Sequence, residues 1–240
     1  MTTNPAPKRG HKLRWTLIVL AALALGAVLD LYAPVRADLR NFDPRAVARL
    51  DNAMWRAYHE RKPIPLFLDL AQLLRTQFHF PFLRSYRGAF HAARAALVFK
   101  RGQGRGDYEE ALPDLRAYYG DIRGLSRTEF DVRRTAELEL EWWIVHRERG
   151  LEDQDSLAHT VAAAAASLYR VTPASLETYG RKRAEAMAIR DYQSSHGGVT
   201  DTDWAKIGGL LDDSWRVLWE AVNPQEPRAP EPAKPTSVPS

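Results

Sequence analysis

The sequence contains no cysteine. Disulfides, thiolate zinc sites, cysteine nucleophiles and cysteine-ligated iron–sulfur clusters are excluded at once. No alternating apolar–polar run is long enough to mark a strand. The Gly-x-Ser-x-Gly elbow of serine hydrolases is missing, and so is the Gly-Lys-Ser/Thr ending of a phosphate-binding loop. His59, His91 and His146 stand without the Glu-x-x-His pairing used by metal centres in helical bundles. The reading is therefore of no metal and no cofactor. Charge of one sign is also scarce. Of 34 basic and 30 acidic residues, the four basic ones just ahead of Trp15 account for the whole net charge of +4. The rest is balanced, which gives no basic face for nucleic acid and argues against such a partner.

Those four residues, Lys8, Arg9, Lys12 and Arg14, lead into an uninterrupted apolar run from Trp15 to Leu29. Positive charge followed by an apolar stretch is the pattern of a segment that enters a membrane with its N-terminus left in the cytoplasm. Fifteen residues of helix reach only about 22 Å, short of the ~30 Å hydrocarbon core. Beyond Asp30, however, Leu31 to Val35 continue the apolar character, and Trp15 and Tyr32 bracket the run as interfacial aromatics do. The reading is a transmembrane anchor over 15–35, with a cytoplasmic basic stretch at 1–14. Two rivals are a signal peptide cleaved after Val35-Arg36-Ala37 and a buried helix of a soluble protein. The long gap from Leu29 to Ala37, and Pro34 close to the scissile bond, count against cleavage.

Helix start and stop signals fill the remainder. Asp43-Pro44 reads as an N-cap with proline in the first turn, followed by Ala46, Leu50, Met54 and Tyr58 at helical spacing. Pro63 and Pro65 open a second helix carrying Leu66, Leu70, Leu73 and Leu74. A third runs from about Phe82 to Lys100. Arg101 to Gly106 reads as a loop, and Asp107 with Glu110 resembles a capping box, with Pro113 delaying the start. Ser126 with Glu129 predicts a long helix through Trp142 and Trp143 that stops at Gly150. An alanine-rich helix spans Asp155 to Tyr169, another follows Thr172-Pro173, and Thr200 with Asp203 caps the last, which carries Trp204, Ile207, Leu211, Trp215, Leu218 and Trp219. The predicted class is all-α: one N-terminal transmembrane helix, a bundle of about seven helices over 43–223, and a disordered proline-rich tail over 224–240.

Two charged stripes are the candidates for chemistry. Arg134, Glu137, Glu141 and Glu148 share a face of the long helix, and Arg87, His91, Arg94 and Arg101 share a face of the third. If the faces meet, Arg94 pairs with Glu137 or Glu141, and His91, Arg94, Glu137 and Glu141 line a polar pocket for a small ligand or substrate. The plainer alternative is two solvated faces with local ion pairs. The glycine loop at 102–106 and the Ser195-His196-Gly197 turn read as connectors. With no catalytic motif, the leading expectation is a single-pass membrane protein. Its helical domain lies outside the cytoplasm, contacts the lipid bilayer through 15–35 and binds an unknown protein partner without acting as an enzyme.

Overall fold

A computed structural model describes residues 9–149 and 153–224. The described chain is all-helical: α1 (Arg9–Tyr32), α2 (Pro44–His59), α3 (Pro63–Phe78), α4 (Phe82–Arg101), α5 (Arg105–Glu109), α6 (Leu112–Leu125), α7 (Val132–Arg149), α8 (Gln154–Tyr169), a 3₁₀ turn (Pro173–Leu176), α9 (Glu177–Ser195) and α10 (Asp201–Val222). Among the described residues the body thus has nine helices rather than about seven. One of the additions is α5, a single turn split from α6 by Pro113, which cannot continue the preceding turn's hydrogen bonds. The expected stop at Gly150 and the proline-rich stretch over 225–240 lie outside the described residues.

Several starts form where the sequence places them. Asp43 accepts hydrogen bonds from the Arg45 and Ala46 amides at 2.9 and 3.2 Å. Thr200 and Asp203 form a reciprocal capping box. The long helix is different: it begins at Val132, six residues after Ser126. The Ser126 hydroxyl is taken by the Thr128 amide and carbonyl, and Glu129 pairs with Arg123. Asp131 does the capping instead, accepting from the Arg134 amide at 3.0 Å.

The helices pack in sequence-adjacent pairs around a core that includes Leu74, Leu115, Ile122, Ile144, Met187 and Leu218. Helix α4 packs on α3 and α6, and α6 packs on α7. Helices α8, α9 and α10 pack in succession, and α10 closes back onto α2. The α8–α9 crossing is close because Gly180 meets Ala158: a Cβ at position 180 would fall 2.0 Å from the Ala158 carbonyl oxygen.

The segment before α2 belongs to the body. Helix α1 ends at Tyr32, so the last three residues of the expected 15–35 span lie outside it. Asp30 accepts from the Leu83 and Arg84 amides at 2.9 and 3.3 Å. Residue 81, the N-terminal flank of α4, is a proline with no capping side chain, so Asp30 serves as that helix's cap from outside. The Arg84 guanidinium donates to the Ala33 carbonyl. Ala37 forms a parallel bridge with Ser126: its amide donates to Leu125 at 2.7 Å, and its carbonyl accepts from Arg127 at 2.9 Å. Leu39 and Phe42 are buried, and Asn223, at the end of α10, donates to the Arg40 carbonyl.

Candidate functional site

The four residues expected to line one pocket fall into two groups on different partners. On α4, Arg94 Nε lies 2.8 Å from Asp114 Oδ2, and His91 Nδ1 lies 3.3 Å from Asp114 Oδ1. Arg87, a turn earlier, makes a two-pronged contact with Asp121. Both acids are on α6, which packs between α4 and α7, so the basic stripe of α4 is matched before it reaches α7. Arg94 therefore pairs with Asp114 and with neither Glu137 nor Glu141. Glu137 receives Arg133 Nε at 3.0 Å and lies 3.7 Å from Arg116. Glu141 is held by Arg105 Nη2 at 3.0 and 3.1 Å. These two carboxylates, with Arg105 and Arg134, line an open cleft of about 250 Å³ above Leu140 and Ile144; His91 and Arg94 are not part of it. A second shallow cleft, of about 350 Å³, lies between α9 and α10 beside Ile189, Tyr192 and Lys206.

The ion pair that is buried on both sides lies elsewhere. Asp51 on α2 and Arg183 on α9 pair at 2.6 Å, with side chains 2% and 11% exposed. Asp51 also accepts from the Trp215 indole at 2.8 Å. The Arg183 guanidinium sits 5.3–5.6 Å from the ring centres of Trp55, Tyr179 and Trp215, so cation–π attraction surrounds it as well as the carboxylate. Burial works against the Arg183 charge, but Asp51 and Tyr179 more than restore it, and the guanidinium's pKa is raised. Burial pushes the Tyr179 hydroxyl up to about 12. The seam continues to Glu139 on α7, which accepts from Tyr119 at 3.0 Å and Trp143 at 3.1 Å. Desolvation raises the Glu139 pKa despite those donors.

A third cluster ties α7 to α9. His146 Nε2 is 2.7 Å from Asp191 Oδ2, and Arg190 reaches Asp191 Oδ1 at 2.6 Å while lying over Trp55. Burial opposes the Asp191 charge, but hydrogen bonding from His146 and the Arg190 charge leave its pKa lowered. An imidazole held by a carboxylate can take and return a proton; here the third member is a guanidinium, so the couple faces a cation and not a hydroxyl nucleophile. No three His, Asp or Glu side chains converge as a metal site among the described residues.

Both members of the buried pair left a trace in the sequence. Asp51 interrupts the apolar face Val47–Ala48–Met54–Trp55 of α2, and Arg183 lies between Gly180 and Met187 on the packed face of α9. A charge inside an apolar stripe marks a buried pair, although the stripe does not name the partner. Asp114 and Asp191 carried no such mark.

Comparison with protein-family models, with curated proteins and with solved structures finds no match.

Truncating one member of the buried pair leaves the other charge unmatched, which costs about 3–5 kcal/mol. Arg183→Met is expected to lower the urea unfolding free energy by that amount, and adding Asp51→Asn should recover part of it. A loss below about 1 kcal/mol, the value of an exposed pair, would contradict the buried-pair assignment.

Glu139 gives a pH signature. Its folded pKa is raised, so the folded state binds the proton more tightly than the unfolded chain. Its contribution is most favourable below the ordinary carboxylate value of 4.5 and is lost as pH climbs from there through the raised value. Glu139→Gln keeps an acceptor for Tyr119 and Trp143 and should remove this fall. The difference between mutant and parent unfolding free energies should therefore rise in the mutant's favour from pH 4.5 upward. A flat difference would contradict the desolvated carboxylate.

Proposed function

We propose that this chain is a single-pass, membrane-anchored helical interaction protein whose body lies outside the cytoplasm. One observation carries the reading. Helix α1 contains a 21-residue stretch, Lys12–Tyr32, whose most apolar 18-residue window has a mean hydropathy of 2.0 and is 0% buried. Eleven large apolar or aromatic side chains from Leu13 to Tyr32 are more than half exposed. Burying each from water stabilises by roughly 1.5–3 kcal/mol, and the body covers none of them. A bilayer supplies that burial, and 21 residues of helix rise about 32 Å, matching the ~30 Å core. The basic residues ahead of Trp15 favour leaving the N-terminus inside.

The junction favours an anchor that stays attached over a cleaved signal. Asp30, Ala33 and Ala37 are all used by the body, so a chain starting at Asp38 lacks the α4 cap and the Ala37–Ser126 bridge. The cleft beside Glu137 and Glu141 is smaller than the roughly 300–1,000 Å³ of ordinary ligand pockets and lacks His91 and Arg94. It supports a ligand-binding role less well than the exposed helix supports anchoring. An anchored body meets membrane-bound protein partners at raised effective concentration.

Membranes carrying the full-length chain, washed in turn with high salt and alkaline carbonate, should retain it in the pellet. A chain beginning at Asp30 keeps the α4 cap and should appear in the supernatant. Release of the full-length chain by carbonate would overturn the anchor.

A further inference from the structure

Among the described residues outside α1, seven large apolar side chains are exposed, and five of them, Ile64, Leu68, Phe82, Phe90 and Leu97, lie on α3 and α4. Of that pair, α4 is the helix to which the end of α1 is fastened, through Asp30 and its first turn. On α4 the exposed residues recur at spacings of eight and seven, so Phe82, Phe90 and Leu97 form a single stripe. Half-buried Tyr86 continues it, with its ring 5.1 Å from Phe82 and 6.0 Å from Phe67. Arg75 lies over both Phe82 and Tyr86, at 5.3 and 5.5 Å from their centroids. Clustering of this kind marks an interaction surface, whereas single exposed apolar residues need no explanation.

The position of the stripe selects its occupant. Phe82 directly precedes the two residues whose amides Asp30 accepts, so it is one residue from the end of the apolar helix. Tyr32, 76% exposed, stands two residues past Asp30. With α1 spanning from Lys12, Asp30 and Tyr32 fall at the far boundary of the hydrocarbon core, and Phe82 is fixed beside them. Aromatic rings with a neighbouring cation suit the headgroup level of a bilayer. We infer that the α3–α4 face beginning at Phe82 is a second membrane contact, seated in the headgroup region of the leaflet from which α1 emerges. This inference rests on the anchor reading. The body is then held down on the lipid surface at two points, with a fixed face presented outward.

The absence of cysteine makes the test clean, since each introduced thiol is unique. Full-length chains carrying Phe82→Cys, Ala22→Cys or Thr202→Cys are spin-labelled in phosphatidylcholine vesicles, and relaxation by oxygen is compared with relaxation by a water-soluble nickel chelate. Thr202 is exposed at the N-terminal end of α10, the end opposite the contact of Asn223 with Arg40, and reports water. The Ala22 label should lie in hydrocarbon, and the Phe82 label should show an oxygen-to-nickel ratio several-fold above that of Thr202. An Ala22 label in hydrocarbon with a Phe82 label as wet as Thr202 overturns the second contact alone. A wet Ala22 label overturns the anchor and the contact together. A Phe82 label shielded from both relaxants, with broadening that vanishes on dilution with unlabelled chain, identifies a second copy as the occupant and also overturns it. Should Phe82→Cys lose its helical circular dichroism, Phe90→Cys, on the same stripe and likewise exposed, is read by the same criteria.

Discussion

Asp30 is a carboxylate at the end of an apolar helix, and its Oδ1 accepts from two amides in the open first turn of α4. A helix start leaves amides without partners, and a carboxylate there is favoured by hydrogen bonding and by the helix dipole together. Helix α4 has no side-chain cap of its own, and its other end is likewise served from elsewhere, by Arg147 of α7 donating to the Phe99 and Gly102 carbonyls. The central helix of the α3–α4–α6 layer is thus completed at one end by the N-terminal helix and at the other by the body. Residues 33–42 add the Arg84–Ala33 contact, the Ala37–Ser126 bridge and the burial of Leu39 and Phe42. In the proposed arrangement the anchor is therefore not a loose tether: whatever tilts α1 tilts the body.

Within the body, a polar seam fixes how the helices register. Asp51, Arg183 and Trp215 come from α2, α9 and α10 and meet at 2.6 and 2.8 Å inside aromatic walls. Buried ion pairs are poor sources of net stability, because desolvation offsets attraction. What they penalise is misalignment, since a shifted helix strands a charge. Glu139 with Tyr119 and Trp143, and His146 with Asp191 and Arg190, extend the same logic along α7. The apolar core holds the bundle without disulfides, and the polar seam fixes its register.

Local signals were legible wherever a short stretch decides the outcome. The Asp43 cap, the Thr200–Asp203 box, the apolar run and the all-α class are all readable in order along the chain. The Ser126–Glu129 box is misleading because the Ser126 hydroxyl is held by Thr128 and Glu129 by Arg123, while the backbone on either side of Ser126 pairs with Ala37, 89 residues away in sequence, a contact that no local pattern announces. The charged stripes on α4 and α7 were real as faces, but periodicity cannot say which helix a face meets. Helix α6 stands between them: its Asp114 takes Arg94, the partner expected for Glu137 or Glu141, and its Asp121 takes Arg87. Asp30 read as an interruption of the apolar run, since its role depends on the bare Pro81 flank of another helix.

In the proposed arrangement α1 holds the body on the outer side of a bilayer. A full-length chain with the single thiol Thr202→Cys, expressed in intact cells stripped of any outer barrier, can be treated with a membrane-impermeant maleimide. Cell-bound protein should be labelled before lysis to the same extent as after detergent. Labelling only after permeabilisation would place the body inside and contradict that arrangement.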